Sequence, residues 1–472
     1  MTTPLWQLSA CEQAAGVRNG VYSAEQLLDS VLARVDARNP EVTAIVVDTR
    51  DEAREAARAV DRALAAGEPV GPLAGVPATI KINVDQRGHA TSNGMPVLAD
   101  AVAAEDAPLV TSLRAAGAVL IGRTNTPELS LRATTVNPLH GRTHNPWDAD
   151  ASAGGSSGGA GAAAASGFGA IHHGNDIGGS LRFPSYACGV SSVKPSFGRV
   201  PSFNPSQAAE RGMLAQLMSV QGVICREVRD VRLGLQVLMR GDPRDPWWVP
   251  VPFAGDPPDT PVRVAVTRES HGYPLHPQVA QAIDRAAGWL SDAGYAVEEV
   301  SVPSIAEPAG EWFDVAVYEI RCALDTFARE HGSPDLRNIF DWYYRLGKLV
   351  DAAGYRERLG SRTAMTRRWN VFLDRYPLVL SPFLMQPVFD WDYDARGYEQ
   401  TRDLFMSALY SVGVNYLGLP AGVTPVGMAA GRPTGVQLIG RRFREDLILD
   451  ALEVLERRNG VQAKVLWARD GD

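Results

Sequence analysis

Two serines and one lysine of this chain sit in surroundings that could make them reactive. Ser180 closes the first part of GNDIGGSLRFP, Gly174 to Pro184, where Ile177, Gly178 and Gly179 stand immediately before it. Closely spaced backbone N–H groups beside a serine hydroxyl can aim at one oxygen, so this loop is an oxyanion hole in prospect. Glycine suits it because a bound carbonyl must approach the main chain with no Cβ in the way. Taken alone, the run reads rather as a glycine-rich turn between two buried segments. Ser156 lies in a second loop, GGSSGG from Gly154 to Gly159, which satisfies G-x-S-x-G. A nucleophile elbow needs a strand directly before that serine, and the preceding residues do not form one. Lys81 falls between Ile80 and Ile82 in ATIKINVD, where apolar and polar residues alternate. A lysine there is an edge or snorkelling residue, or, if buried, a base.

Other chemistries find less support. Gly159 to Ala164 satisfies G-x-G-x-x-A, yet THNPWDADASA before it is no strand, which a dinucleotide fingerprint requires. No G-x-x-x-x-G-K-[ST] loop occurs, so nucleotide hydrolysis is not expected. The four cysteines, Cys11, Cys188, Cys225 and Cys322, are scattered, with neither a CxxC pair nor the density of a disulfide scaffold. There is no HExxH; His140 and His144 lie in a loop-like stretch, and the adjacent His172 and His173 point to different sides of any regular element. No metal and no cofactor are therefore expected.

The chain has 472 residues, 45% of them hydrophobic and 21% charged, the profile of a soluble globular protein. Its net charge of -8 offers no broadly basic face, so no nucleic-acid partner is expected and a small molecule is. Neither a cationic start followed by an apolar run nor a membrane-length apolar stretch is seen. A cytoplasmic protein with no membrane partner is expected.

The elements that must hold the reactive residues alternate between helix and strand. SAEQLLDSVLARVDAR, Ser23 to Arg38, predicts a capped amphipathic helix, with Ser23 as N-cap, Gln26 three residues on and Leu27, Leu28, Val31, Leu32 and Val35 at helical spacing. A second helix is predicted from Arg50 to Ala66, a strand over Ala78 to Asp85, and a buried strand over Ala116 to Gly122. ASAGGSSGGAGAAAA predicts a loop feeding a helix, since its glycines precede a run of alanines. GVQLIG and EDLILDALEVLERR predict a closing strand and helix. The alternation is that of a layered α/β fold. A proline-rich break at Pro243 to Pro261 opens an aromatic-rich middle region that reads as a cap.

Taken together, these motifs resemble the amidase signature family of serine amidohydrolases. That family's GGSSGG loop, its G-x-D-x-GGS-x-R-x-P loop and its CG and KP pairs match Gly154 to Gly159, Gly174 to Pro184, Cys188-Gly189 and Lys194-Pro195. Its lysine, on a strand after a G-x-P turn, matches Lys81 after Gly75 and Pro77, 75 residues before Ser156, which lies 24 before Ser180. GRTNTPE at Gly122, GRTHNPWD at Gly141 and GRPTGVQLIGR at Gly431 are similar to it too.

The resemblance implies an α/β/α fold around a large mixed β-sheet. It implies one amidase signature domain over residues 1–472, with a catalytic core at 70–200 and a variable cap-like region at 243–400. The reaction implied is hydrolysis of acyl C–N bonds in carboxamides or acyl hydrazides. Ser180 is then the acylated nucleophile, Ser156 the proton relay after a cis peptide bond, and Lys81 the base. Ser157, Asp176 and Arg182 are expected to support the loops. Burial would keep Lys81 neutral, able to draw a proton through Ser156 from Ser180 in place of histidine.

The chain departs from the family in places. Ile82 follows Lys81 where many members have Asp, and Asn175 stands where many have Thr. TPELSLRATT differs from the MDEF-like run of the tRNA-dependent amidotransferase A-type chains, which are the alternative reading together with a non-catalytic member. Trp312, Phe313, Tyr318, Phe340, Trp342, Tyr343, Tyr344, Phe389, Trp391 and Tyr393 form two aromatic clusters in the middle region. They are either core packing or the wall of a pocket for an aryl acyl group. A homodimer is compatible with all of this.

Overall fold

The computed structural model describes residues 3–471, and among these eleven strands pair into one mixed sheet. In chain order they are β1 (Ile45–Asp48), β2 (Pro77–Lys81), β3 (Val119–Thr124), β4 (Ile171–Asp176), β5 (Ser191–Lys194) and β6 (Val220–Cys225). They continue with β7 (Arg263–Val266), β8 (Ala296–Glu299), β9 (Leu378–Ser381), β10 (Ala421–Ala429) and β11 (Arg432–Gly440). Their order across the sheet is β1-β3-β2-β4-β6-β5-β10-β11-β9-β7-β8. Strands β2, β3 and β4 run parallel, and β5 is antiparallel to β6, which is antiparallel to β4. Lys81, Thr124, Asp176 and Lys194 therefore end their strands at one edge of the sheet.

Side chains alternate across this sheet and both of its faces are buried. Leu120 of β3 packs in one core with Ile80, Leu113 and Ile448, whereas Val119 and Ile121 pack in another with Leu27, Val31 and Phe168. A sheet apolar on both faces must be covered by helices on both, which gives the α/β/α layers implied by the motifs.

The helix Ala24–Val42 begins at the Ser23 cap: Ser23 Oγ accepts from Gln26 N (3.0 Å) and Gln26 Oε1 from Ser23 N (2.9 Å). It runs four residues past Arg38, through Pro40, and stops where Thr43 turns left-handed. The Arg50–Ala65 and Glu445–Asn459 helices lie where the periodicity puts them, but a further helix, Gln462–Asp470, follows the second. The strand predicted over Ala78 to Asp85 ends at Lys81 instead. Arg123 explains the early stop, because its guanidinium donates to the carbonyls of both Lys81 and Val84 and bends the chain back, while Asn204 Oδ1 takes the Asp85 N–H (2.8 Å).

Residues 243–400 do two things. They supply β7, β8 and β9 to the main sheet, and between these they carry the long helices Ala306–Ala323, Pro334–Leu346 and Ala352–Arg375. Val315 of the first of these helices and Trp369 of the last pack in one core with Ala265 of β7 and Val379 of β9. At the centre, the Gly158–Ser166 helix is buried at every residue. Its small side chains are a packing requirement: a Cβ on Gly159 would lie 2.4 Å from Asn125 N, and one on Gly161 2.7 Å from Pro184 Cβ.

Candidate active site

Lys81 enters the site from the end of β2 and has no solvent exposure. Its Nζ lies 2.7 Å from Ser156 Oγ, 3.1 Å from Ser157 Oγ and 2.8 Å from Asn175 Oδ1. Burial pushes the Lys81 ammonium well below the ordinary lysine range, and the nearby charge of Asp176 only partly opposes this. A lysine so placed is poised to be neutral, hence basic.

Ser156 and Ser157 come from the glycine loop that precedes the central helix. The Gly155–Ser156 peptide is cis. The loop is pinned by hydroxyls: Thr126 Oγ1 donates to Ser156 O (2.8 Å), Thr135 Oγ1 donates to Gly154 O (2.9 Å) and accepts from Gly158 N (3.1 Å). Gly155 presses so closely on the 132–134 segment that a Cβ would lie 2.5 Å from Arg132 O.

Ser180 is half-buried on the loop that leaves β4. Asp176 organises this loop from beneath. Its carboxylate accepts from Gly179 N (2.7 Å) and Leu181 N (3.1 Å), from Arg182 Nε and Nη2 (both 3.0 Å), and from Asn415 Nδ2 (2.9 Å). Burial alone would raise the Asp176 pKa, but Arg182 above all, then Lys194 and the Asn415 hydrogen bond, bring it below the usual carboxylate value. Arg182 in turn donates to Gln437 Oε1 (2.8 Å). The loop's carbonyls are also held: Trp312 Nε1 donates to Ile177 O (2.9 Å) and Ser411 Oγ to Gly178 O (2.8 Å).

This arrangement divides the three expected oxyanion donors. The Gly179 N–H is directed at Asp176, whereas the N–H groups of Ile177, Gly178 and Ser180 have no acceptor among the described residues. Gly179 has φ +129° and a Cβ there would meet Ser411 Oγ at 2.3 Å, so its lack of a side chain serves the turn. Ser180 Oγ makes no hydrogen bond to Ser156 among the described residues. Catalytic hydrogen bonds of this kind commonly close only around a bound substrate.

Replacing Asp176 with Asn is expected to cost about 3–5 kcal/mol of stability, because Arg182 is fully buried and would lose its paired charge. Urea unfolding beside Ser180→Ala measures this. Equal midpoints for the two variants would show that the pair does not hold the loop.

The remaining candidates fall outside this chemistry. His172 and His173 are buried and pushed down to about 3 by burial, hence neutral. No three His, Cys, Asp or Glu side chains converge as metal ligands among the described residues, and none of their helices is long and apolar enough to cross a membrane. Among the ten aromatics, Trp312 touches the Ser180 loop, where a Cβ on Gly178 would meet its ring at 2.9 Å. Phe313, Phe405 and Tyr343 continue from it edge to face, and Phe389 stacks on Tyr393. Asn175, Thr126, Ser411, Asn415 and Gln437 serve the site without having been singled out in the sequence. Of these, Asn175 carried a signal as a departure from Thr, and Thr126 and Gln437 lie within GRTNTPE and GRPTGVQLIGR without being marked there.

The structure thus brings a buried lysine against a cis-linked serine, beside a glycine-lined serine loop on an α/β/α sheet, as the motif resemblance implies. A family profile described as Amidase matches residues 26–449, and the chain belongs to the amidase signature family, a hydrolase acting on amide C–N bonds. Among its relatives, an indoleacetamide hydrolase of Bradyrhizobium diazoefficiens is 45% identical over 98% of this chain and 89% of that protein. The A-type chain of the glutamyl-tRNA(Gln) amidotransferase of Moorella thermoacetica is 33% identical over 96% and 97%. The crystal structure of a bacterial aryl acylamidase superposes with a TM-score of 0.86 at 27% identity, covering 98% of this chain and 99% of that one.

Proposed function

We propose that this chain hydrolyses carboxamides with an aromatic acyl group, of the arylacetamide kind, through an acyl-enzyme on Ser180. The observation that carries the reading is the buried contact of Lys81 Nζ with Ser156 Oγ at 2.7 Å. Neutral Lys81 takes the Ser156 proton as Ser156 takes that of Ser180, and Ser180 Oγ bonds to the acyl carbon. The carbonyl oxygen gains negative charge and receives the unpaired N–H groups of Ile177 and Gly178. As the tetrahedral species collapses, Ser156 protonates the leaving nitrogen and recovers its own proton from Lys81. Ammonia departs, water enters in its place, and the same relay runs again to free the acid.

The acyl preference rests on Trp312 at the loop and on the 45%-identical relative named for indoleacetamide. Acyl hydrazides would undergo the same attack with hydrazine leaving. The purified chain, without partners, is expected to release ammonia from indole-3-acetamide with kcat/KM at least about tenfold above acetamide or glutamine, the scale set by burying an aromatic group. Aryl acyl hydrazides belong in the same panel. Preference for glutamine, or no turnover without a partner protein, would move the reading to the amidotransferase.

A further inference from the structure

The amine of a neutral lysine has two N–H groups and one lone pair, and Lys81 has three neighbours to share them among. Asn175 Oδ1, at 2.8 Å, can only accept. Its orientation is consistent along a chain of hydrogen bonds: Asn175 Nδ2 donates to Asn83 Oδ1 (3.0 Å), Asn83 Nδ2 to Ser130 Oγ (3.0 Å), and Ser130 Oγ to Asn93 Oδ1 (2.7 Å). Ser157 uses its own hydrogen on Asn175 O (3.4 Å), so its oxygen accepts the second N–H of Lys81. Only the lone pair is left for Ser156, which sits closest.

We infer that Asn175 is a positioning residue that holds one N–H of Lys81 and thereby aims the amine's lone pair at Ser156 Oγ. The inference rests on the catalytic reading above and adds a residue to it. With the lone pair so directed, the Ser156 proton points to Lys81 and the Ser156 oxygen is left open toward Ser180. A hydroxyl at position 175 could accept the same N–H. The amide does so with longer reach and no charge, so it fixes direction while stabilising the ammonium less than a carboxylate would.

The charged and titratable groups around Lys81 are few. From β4 come Asp176, whose charge opposes the effect of burial, and His173, whose Nδ1 accepts the Lys81 N–H of the main chain at 3.4 Å. From β3 comes Arg123, which donates to Lys81 O at 3.5 Å. A carboxylate introduced at 175 would be a second anion beside Nζ. It would favour the ammonium, raise the lysine pKa and move the rising limb of activity to higher pH.

The test is the pH profile of kcat/KM for Asn175→Asp, Asn175→Thr and Asn175→Ala beside wild type, with thermal melts to confirm folding. Asn175→Asp is expected to shift the rising limb upward by at least one pH unit, losing about tenfold or more below the limb and recovering above it. Asn175→Thr should keep the wild-type limb and most of the rate. Asn175→Ala should lower kcat at least about tenfold with little change in KM, since only the transition state needs the aimed lone pair. An unshifted limb in Asn175→Asp, or wild-type kcat in Asn175→Ala, overturns the inference. If Asn175→Asp does not fold, the contrast between Asn175→Ala and Asn175→Thr decides. Trapping the acyl-enzyme separates the two levels: a wild-type chain with no adduct on Ser180 defeats the catalytic reading, whereas an adduct with an unmoved limb defeats only the role of Asn175.

Discussion

Ser180→Ala is expected to abolish formation of an acyl-enzyme and to lower kcat by about 10⁴-fold or more, while the folded protein melts like wild type. The side chain removed is a half-buried hydroxyl whose oxygen is engaged by no other group among the described residues, so little packing is lost with it. What disappears is the atom that bonds to the acyl carbon. The loop around it stays in place because Asp176 holds Gly179, Leu181 and Arg182, none of which depends on the serine hydroxyl. Mass spectrometry after treatment with an acylating inhibitor should place the adduct on the peptide containing Ser180. An adduct on Ser156 instead would exchange the two serines' roles and make the GGSSGG loop the nucleophile.

Lys81→Arg is expected to reduce kcat/KM by about 10³-fold or more even though the positive charge is kept. The argument turns on the neutral form. Lysine loses its proton readily when buried, as the strand-end position of Lys81 forces, but a guanidinium stays charged at any accessible pH. Arginine would also bring five donors and no lone pair to a place where Ser156 must deliver a proton. In wild type, activity should rise with pH as Lys81 deprotonates, with a midpoint of kcat/KM below the ordinary lysine value of about 10.4, because burial penalises the cation. The two profiles on one chromogenic aryl amide decide the matter. Near-normal activity of the arginine variant would make Lys81 an electrostatic support and remove the proton path through Ser156.

What the sequence made legible depended on how local the physics was. The Ser23 capping box and the apolar stripe of Ala24–Val42 are written within one helix, and they were readable as such. The loop-to-helix passage at Gly158 was readable from its glycines and alanines. The end of β2 was not, because the alternation of ATIKINVD continues while Arg123, from the next strand, bends the backbone after Lys81. Strands β7, β8 and β9 are four residues each, too short for a period to declare itself amid helices. Around the candidate site, Lys81, Ser156 and Ser180 stood out through the motifs that contain them. Asn415 and Gln437 reach Asp176 and Arg182 from more than 230 residues away; Asn415 lies in no pattern, and Gln437 lies within GRPTGVQLIGR, where nothing marks its partner. The split among the loop's N–H groups was equally hidden, since it depends on where one carboxylate points.

The clamp on Asp176 and Arg182 has a consequence for the order in which a nascent chain becomes an enzyme. All three residues assigned to the chemistry have been translated by position 180, in the first two-fifths of the chain. Ser411, Asn415 and Gln437, which hold the Gly178 carbonyl, Asp176 and Arg182, are translated only near its end. The central strand β5 likewise waits for β10 to pair with it. A growing chain therefore carries its reactive groups for most of its synthesis without the frame that aligns them. The frame around the Ser180 loop is complete only once residues 411 to 437 have been made and β10 has paired with β5.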